Sequence, residues 1–275
     1  VTGATGQLGR LVINALLKKV PASEIIAAVR NPEKAHDLAA LGVQIRKADY
    51  SQPATLDTAF QGVDKLLLIS SSEVGQRIAQ HSAVIAAAKR AGVKLLAYTS
   101  LLHADKSPLG LGEEHRATEA LLRESGLPVV LLRNGWYTEN YAASIAPALA
   151  HGAFIGAVAE GRIASAARED YAEAAAVVLT QGNQAGKVYE LAGDDIYTLA
   201  EFSAEIARQS GKPVVYHDLS EADFKQALLG AGLPDVFASL LADSDAGAAK
   251  GGLFDDSHTL SKLIGRPTTP AKEVI

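Results

Sequence analysis

The chain has 275 residues, a net charge of -5, 48% apolar residues and 21% charged residues. That balance fits a globular chain that buries a large core as one elaborated domain or two lobes, and it argues against nucleic acid or an anionic membrane as a partner. With no cysteine, disulfides, thiolate nucleophiles, iron–sulfur clusters and cysteine-based zinc sites are excluded.

No run of about 18 uninterrupted apolar residues predicts a membrane span. No charged leader followed by an apolar core is visible at the N-terminus, and the expected compartment is the cytoplasm. A glycine loop at residue 3 needs a strand ahead of it, so a few strand residues are expected before Val1.

The first half alternates short apolar runs with amphipathic segments. After the first glycines, Leu8, Leu11, Val12, Ala15 and Leu16 recur at helical spacing. An apolar run at 25–29 follows, and Asn31-Pro32 starts a helix expected to reach residue 41, with proline where a helix tolerates it. Strands are predicted at 43–48, 63–69, 93–99 and 127–132, and helices at 53–60, 73–91 and 112–124. Several of these strands are almost continuously apolar, as in a parallel sheet covered by helices on both faces. The fold class read from this pattern is α/β: a doubly wound parallel sheet of the NAD(P)-binding Rossmann kind.

The second half is less regular. A helix is predicted at 168–179, a strand at 187–191 that continues the sheet, a helix at 199–209 and a strand at 214–217. Two short helices are expected within 220–242, and the small, glycine-rich stretch 246–252 reads as mobile. The expected organisation is a cofactor core over 1–133, its sheet completed by 163–192. A smaller C-terminal α+β substrate lobe takes 134–162 and 193–275.

Glycines at 3, 6 and 9 form the loop Gly3-Ala4-Thr5-Gly6-Gln7-Leu8-Gly9. Between a strand and a helix, such a loop sets free helix N–H groups against a pyrophosphate, and glycine removes the Cβ that blocks close approach. A tight turn before a helix is the competing reading; position and the following βαβ pattern favour the phosphate loop.

The second strand ends Ala28-Val29-Arg30-Asn31, where enzymes using NAD carry an acid. A guanidinium can fork onto a 2′-phosphate, which favours NADPH; a solvated arginine at a strand end is the alternative. Asp49, after the third strand, is placed to accept an adenine amino hydrogen or to serve as an ordinary turn aspartate. Ser70, Ser71 and Ser72 follow the fourth strand, as cofactor contacts, as an N-cap for a helix beginning at Glu73, or as both.

Taken together, these stretches resemble the atypical, NmrA-like branch of the short-chain dehydrogenase/reductase superfamily. The resemblance rests on Val1 to Gly9, Val29-Arg30-Asn31-Pro32, Leu67 to Ser72, Tyr98-Thr99-Ser100, Leu132 to Asn140, and the C-terminal Phe254 to Ser257 and Gly265 to Thr269. It covers essentially the whole chain and is strongest toward the bacterial NADPH:quinone oxidoreductases. It implies two-electron reduction of a quinone by NADPH without flavin. It also implies cofactor contacts at Gly3, Ala4, Thr5, Gly6, Gln7, Leu8, Arg30, Ser70, Ser71 and Ser72. The segment Asn134, Gly135, Trp136, Tyr137, Thr138 and Glu139 would add further contacts, with Arg168 returning near the nicotinamide.

The superfamily's usual Tyr-x-x-x-Lys pair is missing: no tyrosine has a lysine four residues later, and the helix expected to carry the pair reads His115-Arg116-Ala117-Thr118-Glu119. Alcohol oxidation needs such a base, whereas a quinone's reduced oxygens can take protons from water, so catalysis becomes mainly positioning. Asn134 and Tyr137 are the candidate catalytic groups, for hydrogen bonding a quinone oxygen. Trp136 and Tyr137 read either as an aromatic wall for the quinone ring or as core anchors.

The seven histidines show no metal-ligand spacing, so no metal is expected. His81, in the series Val74, Ile78, Ile85, Ala88, reads as a satisfied histidine at the core edge. Asp243, Asp245, Asp255 and Asp256 read as caps and solvated turns. The leading expectation is a quinone reductase with a small-molecule substrate. The alternatives are a non-catalytic NADP(H)-sensing regulator of NmrA type and an NADPH reductase of an electron-poor dye or enone.

Overall fold

The structure, a computed structural model, describes residues 1–73 and 75–275. Its elements run α1 (Gln7–Leu17), β1 (Ile26–Val29), α2 (His36–Ala40), β2 (Gln44–Lys47), α3 (Pro53–Ala59), β3 (Lys65–Leu68), α4 (Arg77–Ala91), β4 (Leu95–Leu101), α5 (Leu111–Ser125) and β5 (Val129–Asn134). They continue with α6 (Thr138–Ala142), α7 (Ile145–His151), β6 (Ala153–Gly156), α8 (Arg168–Thr180), β7 (Val188–Leu191), α9 (Leu199–Ser210), β8 (Val215–Asp218), α10 (Glu221–Gly230), α11 (Asp235–Ala249), α12 (Thr259–Ile264) and α13 (Ala271–Val274). The chain forms two compact units. The first takes residues 1–100, 114–133 and 168–189; the second takes 101–113, 134–167 and 190–275.

The first unit is built on parallel strands. β1 pairs with β2 in the register Ile26↔Gln44, and β3 pairs with β4 in the register Lys65↔Leu95. Val1 and Thr2 stitch these pairs together: Ala28 N–H donates to the Val1 carbonyl at 2.8 Å, and Thr2 N–H donates to the Leu67 carbonyl at 3.0 Å. The sheet continues in the order β3-β4-β5-β7. β4 is buried at every position because helices cover the sheet, α1 packing on α8 and α3 on α4. The result is a doubly wound parallel sheet.

α1 turns Leu8, Val12, Ile13 and Leu16 inward, and α8 meets it with buried alanines, so the two helices approach closely. Phe60 and Leu56 fill the other face beside Leu66 and Leu68. Truncating Phe60 to alanine there would cost about 3–5 kcal/mol.

The second unit is mixed α and β. β6 pairs in parallel with β8, and its core is aromatic, with Tyr197 stacked on Phe202 at 5.4 Å between ring centres and Phe154 edge-on to Phe202 at 5.6 Å. α9 starts with a complete capping box: the Thr198 side chain accepts from Glu201 N–H, and the Glu201 carboxylate accepts from Thr198 N–H. Its residues Leu199, Phe202, Ser203 and Ile206 recur at helical spacing and are buried.

Several sequence expectations change. The helix expected from Glu73 begins at Arg77, with Gln76 at its N-cap and no side-chain cap, so Ser72 does not cap it. Val74, part of the apolar series predicted there, lies outside the described residues. The helix expected from Asn31-Pro32 is a 3₁₀ turn, Pro32–Ala35, followed by α2.

The stretch 246–252, read as mobile, is the end of α11 and the turn after it. Gly247 and Gly252 lie against Leu109: a Cβ added to either would come within 2.7 Å and 2.5 Å of its side chain. Small residues there permit packing rather than motion. Asp245, read as a cap or turn residue, is only 5% exposed.

Candidate functional site

The first unit holds a cavity of about 590 Å³ lined by the glycine loop (Gly3, Thr5, Gly6, Gln7, Leu8 and Gly9), Arg30, Asp49, Ser70 to Ser72 and their neighbours. Gly3 sits at φ +57°, a left-handed conformation that glycine adopts without strain. Gly6 N–H returns to the Gly3 carbonyl at 2.9 Å and closes the turn. Gly6 is also the N-cap of α1 and provides no side-chain cap, so the first amides of an 11-residue helix stay available. A Cβ on Gly9 would lie 2.3 Å from the Gly3 carbonyl oxygen and 2.7 Å from Ala4 Cα, so only glycine lets the helix lie on the loop. A loop without side chains beneath a helix N-terminus is the cradle a pyrophosphate needs, and the residues present fit a dinucleotide.

Arg30 is exposed and pairs with Glu73 at 2.8 Å. Such a surface pair is weak, so an incoming phosphate can displace Glu73 at small cost. Glu73 is held below the usual carboxylate range, first by a hydrogen bond from Gln80 and next by Arg30. Asp49 behaves as a turn residue: Oδ1 accepts from Ser51 N–H at 3.0 Å and Oδ2 from the Gln52 amide at 3.1 Å, while the side chain still borders the cavity.

Tyr50 fixes the floor. Its hydroxyl sits between Thr2 Oγ1 at 2.5 Å and the Ile69 carbonyl at 3.0 Å, and burial pushes its pKa above the ordinary tyrosine value. Ser70 N–H donates to Thr99 Oγ1 at 2.9 Å. Ala4, expected among the contacts, is fully buried beneath the loop and does not line the cavity.

Arg168 opens α8 in the same unit and does not border this cavity. The remaining expected residues belong to the second unit. There Asn134 ends β5 and is 5% exposed, and its Oδ1 has no hydrogen-bond partner among the described residues. Gly135 N–H donates to the Leu191 carbonyl at 2.7 Å.

The Trp136 ring is 7% exposed in the aromatic core, 6.3 Å from Tyr141. Its side chain is therefore a core anchor rather than a quinone wall. Tyr137 is half-buried, Thr138 Oγ1 bonds Ser165 Oγ at 2.8 Å, and Glu139 lies in the first turn of α6.

The helix position of the missing Tyr–Lys pair carries a buried polar network instead. Tyr98 hydroxyl meets His115 Nδ1 at 2.7 Å, and Glu119 accepts from Ser100 at 2.6 Å and from Arg133 at 2.8 Å. The sequence reading missed Tyr50, Gln80 and Glu73 as cavity residues. Of these, only Gln80 left a trace, as a polar residue three positions after Arg77 and beside His81 on one helix.

This fold and cradle define a dinucleotide-binding protein, and the chain belongs to the NAD(P)H-binding family, whose model matches residues 3–182. It is 63% identical to the quinone oxidoreductase 2 of Escherichia coli (strain K12), over all of this chain and 96% of that protein. A crystal structure of the NADPH-dependent quinone oxidoreductase from Escherichia coli, complexed with NADPH, superposes with a TM-score of 0.97 and 64% identity, covering 99% of this chain and 96% of that one. The Citrobacter sp. triphenylmethane reductase complexed with NADP(H) gives a TM-score of 0.95 at 42% identity, covering 99% and 97% of the two chains.

Proposed function

We propose that the chain is an NADPH-dependent oxidoreductase that reduces quinones by two electrons without flavin. The carrying observation is the 63% full-length identity to a quinone oxidoreductase, joined to a cavity whose loop, helix start and arginine suit NADPH. In this reading residues 1–133 and 163–192 bind the cofactor, while 134–162 and 193–275 form the substrate side. The amides at the start of α1 hold the pyrophosphate, Arg30 holds the 2′-phosphate and Asp49 faces the adenine. Ser70 to Ser72 line the path toward the nicotinamide. The segment from Asn134 to Glu139 and Arg168 complete the contacts.

When bound, NADPH supplies a hydride from nicotinamide C4 to the quinone, which takes one further proton from water to give the hydroquinone and NADP⁺. In this reading Asn134, whose buried Oδ1 has no hydrogen-bond partner among the described residues, and the Tyr137 hydroxyl orient the polar ends of the reacting pair. No helix among the described residues is long and apolar enough to cross a membrane, and we place the protein in the cytoplasm, where NADPH is supplied. The test mixes purified, flavin-free protein with NADPH and a simple benzoquinone and follows nicotinamide absorbance. Catalytic loss of absorbance is expected. NADPH binding without turnover across several quinones would replace this reading with a sensor of NADP(H).

A further inference from the structure

We infer that the first turn of α4 positions the rim of the cofactor cavity, with His81 as a fixed acceptor that joins Arg77 and Gln80 in clamping Ser71. The inference rests on the reading of this cavity as the NADPH site.

Arg77, Gln80 and His81 fall at i, i+3 and i+4, on one face of the helix. They are 5%, 6% and 0% exposed, unusual for such side chains unless each is partnered. All three spend a bond on Ser71. His81 Nε2 accepts its N–H at 2.9 Å, Arg77 Nε donates to its carbonyl at 2.8 Å, and the Gln80 amide oxygen accepts from its hydroxyl. Both backbone groups and the side chain of one rim residue are thus held from a single helical turn.

The tautomer follows from the partners. The Thr118 hydroxyl spends its hydrogen on the Glu114 carbonyl at 2.9 Å, so toward His81 Nδ1, also at 2.9 Å, it acts as acceptor. Nδ1 therefore carries the hydrogen, and Nε2 is bare for Ser71. Burial, reinforced by the nearby Arg77 charge, pulls the His81 pKa down to about 3, so this arrangement holds at neutral pH.

The clamp also reaches the other side of the cavity. Gln80 Nε2 donates to Glu73 Oε2 at 2.7 Å, and Glu73 Oε1 holds Arg30 at 2.8 Å. One helical turn thus fixes the serine rim and orients Glu73, whose weak surface pair with Arg30 yields to an incoming phosphate. A rim ordered in advance spares the ligand the entropy of ordering it.

The test compares His81→Phe with His81→Gln. Phenylalanine keeps the ring volume beside Tyr50 and Tyr98 but offers no acceptor; glutamine restores one near the Nε2 position. His81→Phe is expected to raise the NADPH Kd and KM about tenfold, with kcat at saturating NADPH within about twofold, and His81→Gln to recover most of the loss. A folded His81→Phe that binds NADPH like the parent overturns the inference, and so does a His81→Gln no better than it.

Imidazole ¹⁵N spectra of the unmodified protein give an answer that needs no variant. Protonated Nδ1, bare Nε2 and a slowly exchanging Ser71 amide are expected; protonated Nε2 overturns the clamp. Arg30→Ala separates the two failures. If it leaves NADPH binding unchanged, the reading of the cavity falls and the inference with it. If it weakens NADPH while His81→Phe does not, the clamp alone falls.

Discussion

The first unit buries a base, His81, and the second buries an acid, Asp245, and burial shifts each toward its neutral form. His81 is held neutral with its pKa down near 3, chiefly by burial. Asp245 has its pKa raised to about 6, also chiefly by burial, although Ala157 N–H donates to it at 2.9 Å. The unfolded chain takes up the histidine proton below about 6.5, and the fold resists it until about 3. The first unit therefore loses stability as pH falls through that window. The folded Asp245 keeps its proton up to about 6, whereas the unfolded chain releases it near 3.8. The contribution of Asp245 to stability is therefore lost as pH rises through that window. The same physics, desolvation, gives His81 and Asp245 opposite pH responses.

The strongest way to break the contrast between a cofactor unit and its companion is Gly9→Ala. Its Cβ would meet backbone at 2.3 Å, so we expect a loss of about 3 kcal/mol or more in the first unit, with NADPH binding abolished. Thermal unfolding with and without NADPH checks it, and near-parental binding would remove the loop from the site.

Arg30→Ala should weaken NADPH by about ten- to a hundredfold and NADH by no more than about twofold, measured by calorimetric titration of both cofactors. Asp245→Asn keeps an acceptor for Ala157 and removes the charge. We expect it to stabilise the second unit by about 2 kcal/mol at pH 7, with no gain at pH 4 and no change in NADPH affinity. Hydrogen exchange on peptides from each unit reports it.

Tyr137→Phe has the smallest expected effect. Quinone turnover should fall about fivefold at unchanged NADPH affinity, the size of one lost hydrogen bond. Unchanged turnover would take Tyr137 out of the reaction.

The fold of the first unit was legible because its strands are runs of apolar residues set between amphipathic helices. The phosphate loop was legible because Gly3, Gly6 and Gly9 each answer to a backbone requirement. The support beneath the rim was not. Arg77, Gln80 and His81 are polar residues turned inward, so they erase the amphipathic contrast that marks a buried helix face. Arg77 and Gln80 read as surface residues unless their partner, Ser71, is known, whereas His81 read as a satisfied histidine at the core edge and is one. Glu73 looked like the first acidic residue of a helix; its carboxylate instead binds Arg30 and Gln80, and the helix waits until Arg77. In the second unit, the glycines at 247 and 252 suggested mobility because composition cannot show Leu109 filling the space beside them.

The proposed function requires direct hydride transfer from NADPH to a quinone. Its most direct test is a rapid-mixing single turnover of flavin-free protein, loaded with NADPH or with NADPH deuterated at C4, against benzoquinone. We predict one nicotinamide oxidised per quinone reduced, with the deuterated cofactor slower by about two- to fivefold when hydride transfer sets the rate. Oxidation that appears only after flavin is added would contradict the account.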